Sequence, residues 1–335
     1  MPIESIHSNG YGGQTSSGEV SSRLLANNMD PMALRTNSTL MKDEWIQMDQ
    51  TVKKVARERL VAVGDLMNAG LRFNVQNAMG TLVVQHHTAG EMTAAQVSMD
   101  GVTKAQNDRV VFDLKSTPLP IIHHDFQINA RTLAASRRSG QTLDTTQVAE
   151  ATRQVTEKIE SLVFNGLATE DTLGFGGQDA SLYGYTNFPQ RVSASKTGEW
   201  DDSSVTGSDI LADVLGMIQD AHDNLHFGPY TLYVPSNWFV TLLEDFKADS
   251  DKTIIQRLQE IPSISAIKPA DKLANSNAVL VEMTSSNVDM VVGFEPMVVQ
   301  WSSGDEMTSH YKVMAIMVLR PKEDSNGNIG LVHLS

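Results

Sequence analysis

The chain contains no cysteine among its 335 residues. That excludes disulfides, thiol nucleophiles and cysteine-held zinc or iron–sulfur centres. Long apolar runs are missing as well, since no stretch approaches the roughly 18–20 residues a membrane span needs. The opening MPIESIHSNGYGGQTSSGEVSS has neither the basic n-region nor the apolar h-region of a secretion signal. The expectation is a soluble protein made in a cytoplasm, with no membrane partner. Basic charge is scarce: 26 Lys and Arg stand against 40 Asp and Glu, a formal net charge of −14. Such a surface lacks the basic footprint of a DNA-reading protein. Catalytic signatures are absent too, with no G-x-S-x-G, no Walker sequence, no G-x-G-x-x-G and no H-E-x-x-H.

What is present has the size of two modest domains, or one core with large extensions. Residues 1–37, rich in Ser, Gly and Asn, read as an arm that cannot bury enough apolar area to fold alone. An amphipathic helix is expected over 38–70, with Met41, Trp45, Met48, Val52, Val55, Ala56, Leu60, Val63 and Met67 on one stripe and Gly70 at its end. Between 71 and 129 the period changes to alternation, as in Leu71–Phe73–Val75, Val110–Phe112–Leu114 and His124–Phe126–Ile128, with a turn signal at Asp100–Gly101. This stretch reads as a projecting β-hairpin. The clearest helix covers 144–166, where Asp144 and Gln147 have capping-box spacing. Its stripe is Val148, Ala151, Val155, Ile159 and Leu162, while Arg153, Glu157, Lys158 and Glu160 are expected on solvated faces. A glycine-bearing loop and a polar connector at 191–207 lead into alternating helices and strands. The last two strands flank Asn326–Gly327 and are expected to pair with each other and rejoin the sheet begun before residue 129.

Constellations that could carry chemistry are few. His86–His87 and His123–His124–Asp125 suggest a metal site, but neighbours on a strand point to opposite faces, so neither pair converges without distortion. GFGG at 174–177 reads as a flexible turn, and SRRSG at 136–140 as a basic polar loop. Arg131, Arg137 and Arg138 form a local basic cluster, read either as a solvated loop or as an intersubunit ion-pair patch. No catalytic, cofactor-binding or metal-binding residue is assigned, no cofactor is called for, and an enzyme is not expected.

The order arm, helix, hairpin, long helix, α/β region and returning strands resembles the major capsid proteins of tailed phages and the related encapsulins. PLPIIHHDFQINARTLAASRRSGQTLDTTQVAEATRQVTEKIESLVFNG, LYGYTNFPQ, YTLYVPSNWFVTLLEDF and VMAIMVLRPKEDSNGNIGLVHL carry the likeness. The resemblance implies an α+β, HK97-like major capsid fold. Its parts would be an N-terminal arm (1–37), an N-terminal helix (38–70), an extended loop (71–116), a peripheral domain (117–207 and 311–335) with spine helix 144–166, and an axial α/β domain (208–310). It further implies self-assembly, as hexamers and pentamers, into the icosahedral head of a virion built in a host cytoplasm. That head would enclose double-stranded DNA without sequence-specific binding, with scaffolding, portal and decoration proteins as further partners. Some relatives join subunits through Lys–Asn bonds; Lys104 lies in the extended loop, but no acceptor is identified. The alternative is an encapsulin-like nanocompartment shell, and a second alternative is a soluble metal-dependent hydrolase using the histidine pairs.

Overall fold

The computed structural model describes residues 42–89, 92, 95, 97, 99, 109–110, 112–138, 145–167, 182–247, 252–302, 308–324 and 326–335. The expected arm, the Asp100–Gly101 turn, Lys104, Asp144 and the GFGG loop lie outside these residues.

The helix expected over 38–70 is two helices, α1 (Lys42–Arg59) and α2 (Ala62–Asn68). The reason for the break lies about a hundred positions away in sequence. Glu160 Oε1 accepts the Ala62 N–H at 2.7 Å. That carboxylate supplies the N-terminal partner that Val61 cannot, because Val61 makes no side-chain cap. At the other end Gly70 adopts φ 74°, and the Leu71 N–H reaches back to the Leu66 carbonyl, the left-handed stop expected of glycine.

After the hairpin strands β2 (Val83–Ala89) and β3 (Phe112–Pro118) comes β4 (Ile122–Asn129), then α3 (Ala130–Arg138). Residues 136–138, read from sequence as a loop, are the last turn of α3; the Asn129 side chain accepts the Arg131 N–H at 2.9 Å and caps the helix start. The long helix follows as α4 (Thr146–Asn165), about 30 Å of spine. Its expected stripe of Val148, Ala151, Val155, Ile159 and Leu162 is buried throughout. Thr152 and Thr156 are buried with it, and their hydroxyls donate back to the carbonyls of Val148 (2.7 Å) and Thr152 (2.8 Å). Glu160 departs from expectation: it is buried, because α2 and the loop at 182–188 pack over a face that the helical pattern alone assigns to water.

Gly166 ends α4 at φ 63°, close against the loop that follows. A Cβ on Gly184 would stand 2.4 Å from the Gly166 nitrogen and 2.8 Å from the Leu162 carbonyl oxygen, all backbone. Gly184→Ala is therefore expected to cost about 1–3 kcal/mol through forced separation of these segments, read as a lower midpoint in chemical denaturation. An unchanged midpoint would show that the loop can withdraw freely.

Two larger sheets form the body. One is four-stranded in the order β1 (Arg72–Asn74), β9 (Val288–Ser302), β10 (Thr308–Pro321), β4. The other is five-stranded in the order β5 (Val192–Ala194), β11 (Leu331–Leu334), β8 (Ala278–Glu282), β6 (Tyr230–Val234), β7 (Ile264–Pro269). As expected, β10 returns to β4, with Thr308 opposite Asn129 and Ala315 opposite Ile122. The expected pairing of the last two strands does not occur: β11 inserts between β5 and β8. The turn between them is held by the Asp324 carboxylate, which accepts the N–H groups of Asn326 (2.9 Å) and Asn328 (2.8 Å). Asn287 then grips the chain, exchanging hydrogen bonds with the Gly330 N–H (2.7 Å) and carbonyl (3.0 Å). The sequence LVHL has no alternation because its site is covered on both faces.

That double covering defines the core. On one face of the five-stranded sheet Tyr233, Val279, Val281 and Leu331 meet the spine helix, Phe164 lying edge-on to Tyr233 at 5.3 Å. On the other, Leu232, Val234, Ala278, Leu280, Val332 and Leu334 meet α5 (Gly207–Asp223), α6 (Ser236–Thr241) and α7 (Ile254–Gln259). The connector at 191–207 proves less polar in role than in composition. It supplies β5, and its Trp200 is fully buried and stacks on Trp238 at 4.7 Å. The Trp200 Nε1–H donates to the buried Asp213 carboxylate at 2.9 Å, and Thr197 donates to the same group.

Candidate assembly interface

Among the described residues, strands β2 and β3 pair only with each other, in register from Val83 opposite Pro118 to Ala89 opposite Phe112. The side-chain period of two sorts this ribbon into unequal faces. Val84, on one face, is buried against Ala78, Leu119, Leu182, Val291, Ile316 and Val318 of the body. Lys115, on the same face, reaches Glu323 at 2.9 Å, and the Leu119 N–H donates to the Leu82 carbonyl at 2.8 Å. The opposite face presents Val83, Leu114 and Phe112 to solvent, the last two at 50% and 65% exposure. Beyond the strands Met92, Val97 and Met99 are exposed as well. Among the described residues nothing covers this outward face, and two strands alone bury too little to be stable.

The ribbon's base stands over a buried ion pair. Arg320 donates from Nε to Asp289 Oδ1 at 2.8 Å and from Nη2 to Oδ2 at 2.5 Å. Lys322 reaches the same carboxylate at 2.7 Å, and the Arg320 guanidinium lies 4.5 Å over the Phe73 ring. This bidentate arrangement ties β9 to β10 and to β1. His86 faces this group; burial, then the Arg320 and Lys322 charges, hold its pKa below the ordinary histidine value. Neutral His86 therefore belongs to the ribbon's inner side.

The histidine pairs behave as strand geometry dictates. His86 turns toward the body and His87 toward solvent, where its ring meets Phe112 edge-on at 6.2 Å. His123 and His124 lie on exposed β4, an edge of the four-stranded sheet, and His123 Nδ1 stands 3.4 Å from Asp125 Oδ1. Among the described residues, no three His, Asp or Glu side chains are grouped to hold a metal ion. Arg131 and Arg138 are exposed, seven positions apart on α3, so they share one helix face two turns apart. A second open feature is a groove of about 950 Å³ between the N-terminal helices and β9, lined by Leu60, Val61, Met67, Phe294, Met297 and Met317. Neither this groove nor the Asp289–Arg320 pair is legible in the sequence, because both arise between segments more than twenty positions apart. Among the described residues, no helix is long and apolar enough to cross a membrane.

Comparison with known proteins matches this architecture. The chain is 23% identical over 287 residues to the type 1 encapsulin shell protein EncA of Myxococcus xanthus, covering 84% of this chain and 90% of that one. Among solved structures, the virus-like particle from Pyrococcus furiosus superposes with a TM-score of 0.58 at 17% identity, covering 85% of this chain and 98% of that one. The capsid of Myoviridae phage XM1 superposes with a TM-score of 0.61 at 12% identity, covering 80% and 90%. The fold is the α+β, HK97-like fold shared by phage capsids and encapsulins. The model of DUF6260, a family of unknown function, matches residues 34–334, and the chain belongs to that family.

Proposed function

We propose that this protein is a shell subunit, the major capsid protein of a tailed phage, which assembles with copies of itself around a double-stranded DNA genome. The outward apolar face of the β2–β3 ribbon carries the reading. Phe112, Leu114 and Val83 need a cover that the described residues of one chain do not supply, and a neighbouring copy supplies it in a closed ring. In this reading the ribbon is the extended loop. The spine with the four-stranded sheet forms the peripheral part, and the five-stranded sheet with α5–α7 the axial part. On this division β9 leaves the range expected as axial (208–310), and β5 and β11 leave the range expected as peripheral (117–207 and 311–335), each for the sheet it pairs in. Hexamers and pentamers are the expected rings, with scaffolding, portal and decoration proteins as outside partners and the virion as destination. A net charge of −14 suits a wall that encloses DNA without gripping it.

The likeness to the EncA shell protein supports a second reading, an encapsulin-like compartment. Both readings expect closed shells, tubes or capsomer rings when the purified protein is viewed by electron microscopy. A strictly monodisperse monomer at high concentration would overturn both. The contents separate them: packaged DNA, with terminase and portal genes beside this one, supports the phage head. A protein cargo, with a peroxidase or ferritin-like gene alongside, supports the compartment.

A further inference from the structure

Glu160 sits where three parts of the molecule meet. It projects from α4 toward the start of α2, beneath the 182–188 loop and beside the five-stranded sheet. One carboxylate oxygen accepts the Ala62 N–H at 2.7 Å; the other, Oε2, is buried and has no hydrogen-bond partner among the described residues. The Tyr185 hydroxyl, close enough to feel the Glu160 charge, is likewise buried without a partner among the described residues. The backbone N–H groups at the start of α2 favour the charge, but a buried carboxyl group with one oxygen left without a partner loses more by leaving water than they return. A cleft of about 130 Å³, lined by Val61, Glu160, Ala270 and Lys272 among others, leads to it.

We propose that the seat of α2 on the spine helix is a proton-controlled joint: neutral Glu160 keeps α2 down, and ionised Glu160 favours its lifting into water. The inference concerns the single chain and stands apart from the shell reading.

Among the described residues, titratable groups approach Glu160 from several elements. From α2 comes Asp65, whose carboxylate is held by the Tyr233 hydroxyl of β6 at 2.9 Å and by Lys268 of β7. From α4 itself comes Glu157, paired with Lys272 at 2.8 Å and Arg153 at 3.2 Å. The 182–188 loop contributes Tyr185, and the segment after β7 contributes Asp271 and Lys272. Among the described residues no cation is paired with Glu160 itself, so burial dominates. Burial pushes its pKa from 4.5 to about 7, against the pull of the Ala62, Val63 and Val61 backbone. Once α2 lifts and water enters, the group returns to the ordinary carboxylate range. Between these two values the closed joint holds a proton that the open one does not. Closure is therefore fully favoured at low pH and weakens as pH rises through about 7, by at most ~300-fold.

Hydrogen exchange of the full-length protein, corrected for intrinsic rates, tests this. The unseated fraction reported by amides of residues 61–68 should rise by about 50–100-fold between about pH 5 and about pH 8. Amides of β6 should not follow. Glu160→Gln, neutral at every pH, should abolish the response. A wild type whose 61–68 amides ignore pH, or a Glu160→Gln protein that responds as the wild type does, overturns the proposal. Should that variant not fold, Asp65→Asn replaces it. Removing the nearby negative charge should move the wild-type midpoint to lower pH, and an unmoved midpoint is equally fatal.

Discussion

Replacing Phe112 and Leu114 together by aspartate is expected to abolish assembly while leaving the subunit folded. Both side chains are at least half exposed, so the body loses little with them, within about 0.5 kcal/mol for a surface change. Against a neighbour the account is different. Burying the exposed half or more of each apolar side chain contributes about 1–2 kcal/mol, and an aspartate there adds the cost of desolvating a charge. Since about 1.4 kcal/mol is tenfold in affinity, one ribbon contact weakens by roughly 10²–10⁴. The loss recurs at every equivalent contact of a closed shell, which holds together by simultaneous weak contacts. Sedimentation and electron microscopy read assembly, and near-ultraviolet circular dichroism reads the subunit fold. Shells that persist in the double variant would remove the ribbon from the interface, and with it the observation that carries the proposed function.

Asp289→Ala is expected to give the largest loss of stability, about 3–5 kcal/mol. The loss follows from what remains. Arg320 is 4% exposed and would keep a buried charge with neither of its carboxylate hydrogen bonds, while Lys322 loses the same partner. The consequence should be local as well as global, because this pair ties the strands on which Val84 and the ribbon rest. Removing both charges, as Asp289→Leu with Arg320→Leu, should recover most of the stability. An apolar pair of similar volume avoids the desolvation that the ion pair must offset. Denaturant midpoints measure both variants. A double variant no better than Asp289→Ala would mean that the pair's geometry, and not its charge balance, secures β9 to β10.

How much of this was legible in the sequence depends on the range of the signal. The spine helix was readable residue by residue, because five apolar side chains at helical spacing report directly which face is buried. The opposite orientations of His86 and His87 were readable for the same reason, strand geometry being local. The burial of Glu160 is not legible there, because charge on a helix ordinarily marks water, and only the packing of α2 and the 182–188 loop reverses that. Trp200 lay in a stretch dominated by Ser, Asp and Thr, whose average polarity concealed one deeply buried ring.

By itself, then, the sequence determined the local periods: the amphipathic stripe of the spine, the alternation of the ribbon, the glycine stop at Gly70, and the exclusion of thiol chemistry by the absence of cysteine. It also supported the resemblance from which the HK97-like fold was expected. Only the tertiary structure decided that the long N-terminal helix is broken at Leu60–Val61, that β11 leaves β10 for the other sheet, and that Asp289 and Arg320 meet in the interior. Those outcomes turn on partners tens of positions to more than a hundred positions apart. A residue's own pattern states what it can bury or bond, whereas the partner that accepts it is supplied by chain folded from elsewhere.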